Sequence, residues 1–259
     1  MRPSLLLSFA LLSTAMAAPA GWKLEWSDEF DQAGAPDPAK WTYEVGMIRN
    51  NETQFYTKDR RENARVEDGV LIIEARKEKR DGADFTSASL ISKGRKDWTA
   101  GRFEIRAKLP EARGTWPAIW MLPLDHGAIP WPRCGEIDLM EHVGHDPGRI
   151  HATLHSETYN HIRKNQRSGA TLLPDFSSDF HVYAMEWTQG RIVMQVDGKT
   201  IAEFEKKPGD TDKEWPFEKP FYLILNLAIG GSWGGAKGVD EAAFPQRMEV
   251  DYVRVYQKS

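Results

Sequence analysis

Cysteine is nearly absent from this chain of 259 residues: Cys134 stands alone. An intrachain disulfide is therefore excluded, and the core must hold by packing alone. No set of Cys and His has zinc-ligand spacing, so no catalytic metal is implied. Beside Cys134, the run Trp131-Pro132-Arg133 offers no general base, which makes the thiol a small buried apolar residue rather than a nucleophile. Long hydrophobic runs are missing too. The stretch Leu5 to Leu12 falls well short of the roughly 20 apolar residues that cross a bilayer. Arg2 precedes it and Ala15-Met16-Ala17 has the small-x-small form of a signal-peptidase site. We expect residues 1–17 to be an export signal, 18–259 to be a single mature domain, and the protein to be secreted or periplasmic. A charge excess is also lacking. The formal charge of −4 gives no basic footprint for nucleic acid or for an anionic membrane. Nor does any Pro- or Ser-rich linker or internal repeat divide the chain.

What the chain does have is alternation and tryptophan. Phe103, Ile105, Ala107 and Leu109 alternate with Arg102, Glu104, Arg106 and Lys108. Ile192, Met194 and Val196 lead into an Asp197-Gly198 hairpin turn, and Val250 to Tyr256 alternate near the end. Many short strands with frequent turns predict an all-β sandwich or barrel. Polar and aromatic residues on one side of several strands suit a two-sheet sandwich with one face open as a groove. Ten tryptophans are rich for this length, and flat indoles suit burial or stacking on sugar rings.

The most informative segment is Gly135-Glu136-Ile137-Asp138-Leu139-Met140-Glu141-His142. On a regular strand Glu136 and Asp138 share a face, whereas Glu141, an odd step away, points into the core. A β-bulge at Leu139-Met140 would return Glu141 to the face of the other two acids. Two carboxyls so placed are the equipment of a glycosidase, one attacking the anomeric carbon and one protonating the leaving oxygen. Like charges that close cannot all ionise, so one group keeps the proton that a general acid needs. Spacing does not say which Glu attacks. It also leaves open a solvated acidic face or an oxygen-ligated cation.

The segment 135–141 resembles the signature of glycoside hydrolase family 16 in its bulged form. The likeness extends through Trp26-Ser27-Asp28-Glu29-Phe30, Asn50-Asn51-Glu52-Thr53-Gln54-Phe55-Tyr56, Gly101 to Pro110, Trp116 to Pro123, Ile150 to His155, Asn226 to Trp233, and Met248 to Tyr256. The resemblance implies a β-jelly-roll sandwich like that of legume lectins. It also implies Glu136 as nucleophile, Glu141 as acid/base and Asp138 as the neighbour that orients Glu136. The bulge and the Asn-Asn-Glu block are similar to the laminarinase-like branch, which hydrolyses β-1,3-glucan and, in some members, mixed β-1,3-1,4-glucan.

Around these acids, Trp116 and Trp120 share strand parity and are expected as sugar platforms, with Trp131 and Trp233 at the cleft rim. Asn50, Glu52 and Asn226 lie in blocks that the resemblance places at the substrate. Glu104 and Arg106 match a pair that contacts sugar hydroxyls in relatives, and His155 matches a position near the cleavage point. The resemblance further implies a structural calcium at Glu29, Gly69 and Asp251, partly through backbone oxygens. A monomer acting on β-glucan is expected. The competing classes are a non-catalytic β-glucan-binding module, which would usually lack the acid trio, and a galactan hydrolase of the same family.

Overall fold

The computed structural model describes residues 18–259, and the expected export signal lies outside the described residues. Strands account for nearly all the regular structure; two short 3₁₀ turns, His161–Arg163 and Glu241–Ala243, are the exceptions among the described residues. No helix here is long and apolar enough to cross a membrane.

The strands form two sheets, of ten and seven strands. In the ten-stranded sheet, Gly101–Lys108 lies between His181–Thr188 and the long strand Gln246–Lys258, antiparallel to both. The strand Trp22–Asp28 pairs with that same closing strand, so the two ends of the described chain meet. In the seven-stranded sheet the order runs Arg167–Leu172, Arg149–His155, Glu136–Glu141, Thr115–Pro123, Phe221–Ile229, Ser89–Ile91 and Thr42–Tyr43. Pairing is antiparallel throughout, except that Gln54–Tyr56 runs parallel to Ala83–Ser87. This is a two-sheet antiparallel sandwich, as the alternation implied, in the jelly-roll form that the resemblance implied.

Alternation decides which side chains fill the space between the sheets. Phe103, Ile105 and Ala107 from one sheet meet Ile119, Met121, Leu223, Leu225 and Leu227 from the other in a continuous core. The intervening residues of the seven-stranded sheet face the other way. Trp116, Ala118, Trp120 and Leu122 therefore look into a cleft together with Asn226 and Ala228, while Tyr222 and Ile224 pack with Trp120 and Leu122 in a small apolar cluster on that same face. The sheet is thus apolar on one side and mixed on the other, as expected for a surface that must stay solid beneath yet bind polar material above.

Candidate active site

The strand Glu136–Glu141 sits in the middle of the seven-stranded sheet, hydrogen-bonded on both sides. Its ladder is regular through Asp138, opposite Trp120 on one neighbour and Thr153 on the other. It then slips: Met140 pairs with Ile119 and Glu141 with both Ala118 and His151. Three residues thus span what two span on the neighbours. Leu139 and Met140 both turn inward and are fully buried in the core, as is Ile137. Glu136, Asp138 and Glu141 all line the cleft. The extra residue is what lets an odd spacing put three acids on one side. Just upstream, Gly135 adopts φ +87°, and a Cβ there would lie 2.7 Å from Pro216 Cγ; only glycine delivers the chain to Glu136 along this path.

The cleft has a volume of about 930 Å³. At one end Trp131 stacks on His161, with ring centroids 4.8 Å apart, and lies against His155. At the other end Trp233 packs edge-on to Trp116 and to His151. Trp116 also donates its indole N–H to Glu141 Oε1 at 3.0 Å. The aromatic rings therefore flank the acids on both sides, spaced along a groove rather than gathered in a closed pocket.

Burial pushes all three carboxyls above their ordinary range. At Glu136 the nearby charge of Glu141 adds to the rise, while the Arg49 guanidinium and the Trp131 indole oppose it. Asp138 is raised well above normal by burial and by both glutamates. At Glu141 burial dominates, and the hydrogen bond from Trp116 is what opposes it. Such a cluster does not hold three negative charges at once. His155 Nε2 faces Asp138 Oδ2 at 3.4 Å and Glu136 Oε1 at 3.7 Å. Burial, with His161 nearby, lowers this imidazole to about 4, so it is neutral over the working range of a carboxyl pair.

Beside the acids lies a chain of buried hydrogen bonds. Trp120 donates to Asn226 Oδ1 at 2.7 Å, and Asn226 Nδ2 donates to the Tyr56 hydroxyl at 2.9 Å. Tyr56 donates in turn to Glu52 Oε2, which also accepts from Gln54, while Glu52 Oε1 accepts from Asn50. Asn50 and Asn51 both sit in the left-handed region, which Asn tolerates better than most residues. Ser232 N donates to the Asn50 carbonyl, tying the glycine loop to this turn. The block 50–56 thereby fixes the orientation of the Trp120 ring from below.

Most of the residues singled out from the sequence meet at the cleft: Asn50, Glu52, Trp116, Trp120, Trp131, Glu136, Asp138, Glu141, His155, Asn226 and Trp233. Glu104 and Arg106 do not. They lie on the outer face of the ten-stranded sheet, where Glu104 pairs with Arg102 and Arg106 with Asp251 at 2.6 Å. Their alternation correctly put them together on one face, but that face belongs to the sheet remote from the acids. Two carboxylates of the expected calcium set, Glu29 and Asp251, are engaged in ion pairs. Arg254 takes both oxygens of Glu29, and Arg106 takes Asp251 Oδ2. One Asp251 oxygen and the main-chain carbonyls remain as the groups that would take part in such a site.

Several cleft residues escaped sequence reasoning. Arg49 lies over the Trp120 ring, 4.8 Å from its centroid, and pairs with Glu44. It therefore occupies one face of the expected sugar platform and supplies the positive charge that opposes the rise at Glu136. His151, Thr153, His161, Gln166 and Ser168 also line the cleft. His151 and Thr153 shared parity with His155 in the sequence, so their placement was available; nothing in the sequence signalled the others.

The model of glycosyl hydrolases family 16 matches residues 51–254. The chain belongs to this family. It is 53% identical over 243 residues to a β-glucanase of Rhodothermus marinus, an alignment that covers 91% of this chain and 85% of that protein. The solved laminarinase of Rhodothermus marinus superposes with a TM-score of 0.89 at 52% identity, over 92% of this chain and 98% of that one. A mutant of SCLam, a non-specific endo-β-1,3(4)-glucanase solved with 1,3-β-D-cellobiosyl-glucose at its active site, matches at TM-score 0.89 and 46% identity, over 94% and 97%.

Proposed function

We propose that this chain is an endo-acting β-1,3-glucanase, with some action on mixed β-1,3-1,4-glucan, that cleaves with retention of anomeric configuration. The observation that carries the reading is the bulged strand, which gathers Glu136, Asp138 and Glu141 on the floor of an aromatic-lined cleft. In the first step the Glu136 carboxylate attacks the anomeric carbon as Glu141 transfers its proton to the glycosidic oxygen, and the leaving chain departs as an alcohol. In the second, Glu141, now a carboxylate, takes a proton from water; the oxygen of that water adds to the anomeric carbon and releases Glu136. Arg49 and Trp131 favour the ionised form at Glu136. Burial raises Glu136 to about 8 and Glu141 to about 7, so the two share their protons as a pair, and the assignment of nucleophile and acid between them follows the family signature. Asp138, lodged between them, holds its own proton and orients Glu136.

A cleft long enough to hold aromatic rings beyond both ends of the acid row suits an internal bond of a polymer. The neighbouring proteins named above act on β-glucans, which supports the same substrate class. The cleft is complete within one chain, in keeping with a monomer, and the leader-like residues 1–17 support export. The test is proton NMR of early products from laminarin, alongside a panel of lichenan, agarose and carrageenan. The β-anomer should appear first, from laminarin fastest. An α-anomer would overturn retention; exclusive action on a galactan would overturn the substrate class; and inactivity across pH on every substrate would leave a binding module.

A further inference from the structure

Asp138 has a feature that its part in the proposed reaction leaves unexplained. Its Oδ2 is buried without a hydrogen-bond partner, in a residue only 3% exposed, and it looks into the cleft. Buried carboxylate oxygens are ordinarily satisfied. What faces this one is a ring nitrogen, His155 Nε2 at 3.4 Å, and the same nitrogen is 3.7 Å from Glu136 Oε1. One donor atom from each of Glu136, Asp138 and His155 lies within 4.8 Å of the others.

These separations have a meaning in coordination chemistry. Metal–ligand bonds of about 2.0–2.1 Å meeting at the tetrahedral angle set neighbouring donors about 3.4 Å apart; the two His155 separations match this, and the carboxylate oxygens, within 4.8 Å, draw together by a small side-chain rotation to share an ion. From these spacings and the unsatisfied oxygen we propose that Glu136, Asp138 and His155 form a binding site for one zinc ion, which blocks the cleft reversibly. One imidazole and two carboxylates suit a borderline cation such as Zn²⁺. They do not suit Ca²⁺ or Mg²⁺, which collect oxygens only. Glu136 and His155 sit opposite each other on adjacent strands, and Asp138 lies two residues along, so the three donors are held by the ladder itself. The fourth position opens into the cleft, where water completes the shell. An ion seated there ties up the Glu136 oxygen and occupies the space in which a sugar ring must lie. The second ring nitrogen, His155 Nδ1, has no partner. A metal-bound histidine that lacks this supporting hydrogen bond loses on the order of 10- to 100-fold in affinity, which suits reversible occupation rather than a permanent metal.

The experiment is calorimetric titration of metal-stripped protein with zinc chloride in a non-chelating buffer. One equivalent should bind, EDTA should reverse it, and a saturating thio-linked laminari-oligosaccharide, which resists hydrolysis, should abolish it. Calcium and magnesium chloride should give no heat at the same concentrations. His155→Gln should weaken zinc binding at least tenfold, whereas His181→Gln, in the other histidine–carboxylate cluster, should leave it unchanged. Should His155→Gln fail to fold, cobalt(II) replaces zinc in the wild-type protein. Intense visible bands of a tetrahedral ion, quenched by the oligosaccharide, would support the site, and the weak bands of an octahedral ion would overturn it. Binding that survives His155→Gln, or that ignores bound oligosaccharide, would also overturn it. Hydrolysis is read separately in metal-free buffer, so the glucanase reading stands or falls independently.

Discussion

At the scale of single residues, the site is governed by how many protons three buried carboxyls share. Trp116 donates to Glu141 and so favours its ionised form, lowering a pKa that burial has raised. In Trp116→Phe that bond is lost and the Glu141 pKa rises further. Since Glu141 must be protonated in the first step, the alkaline limb of the kcat/KM profile should move to higher pH, even as total activity falls from the altered platform. A limb that stays put or moves down would mean that another group controls it. Asp138 tests the same balance through stability. Its folded-state pKa is raised, so its neutral form is the one the fold prefers. Its contribution is fully present below the unfolded value, about 3.9, and is lost as pH rises through the folded one. Asp138→Asn keeps the shape without the charge. The variant should therefore match wild type in Tm near pH 4 and exceed it at pH 8, by an amount equivalent to about 1–3 kcal/mol. Differential scanning calorimetry at the two pH values measures this; a wild type that is equally stable at pH 8 would contradict it. The expected loss of turnover in the same variant would make Asp138 a case of stability given up for activity.

At the scale of elements, the central fact is the slip in one strand, and it was legible because parity arithmetic is unforgiving. An acid three residues after another faces the core unless the ladder is broken, and a buried unpaired carboxylate is too costly to leave there. The same parity placed Trp116 and Trp120 correctly on the cleft face. It failed for Glu104 and Arg106, because period two says which residues share a face and not which sheet the face belongs to. It could not find Arg49 at all, since its position over Trp120 depends on a loop whose path is set by contacts with the strand Phe221–Ile229, some 170 residues away. Parity also makes a prediction about deletion. Removing Leu139 leaves Glu136, Asp138 and the last Glu at even spacing, so a regular ladder still presents all three to the cleft with the same cross-strand partners. The core loses one buried leucine, which costs about 2–5 kcal/mol. The deletion variant should therefore fold with a lowered Tm and keep measurable laminarin hydrolysis. A folded variant with no activity would show that the bulge sets the reach of the last carboxyl as well as its direction.

At the scale of the whole molecule, a sandwich without a disulfide holds itself together by contacts between segments far apart in sequence. The first described strand closes on the last, and the floor of the cleft is assembled from strands near 42, 90, 120, 140, 150, 170 and 225. Such a structure has few ways to open in part, because most strands are held on both sides. Cys134 offers a direct measure of this. It is fully buried, its thiol is pushed up to about 11 by burial and then by the charge of Glu136, and the segment that carries it leads directly into the central strand of the cleft sheet. A thiol near 11 rather than the ordinary 9 presents roughly a hundredfold less thiolate at pH 8, so labelling in the folded state is slow even where reagent can enter the cleft. If the segment around Cys134 opens only when the sandwich does, the opening free energy from thiol labelling should equal the global unfolding free energy from denaturant titration, and added reductant should leave Tm unchanged. A labelling free energy several kcal/mol below the global value would locate a local opening at residues 129–135. Because that stretch also carries Trp131 against His155 and His161, such an opening would loosen the Glu136 end of the cleft while the Glu141 end, braced by Trp116 and Trp233, stayed shut.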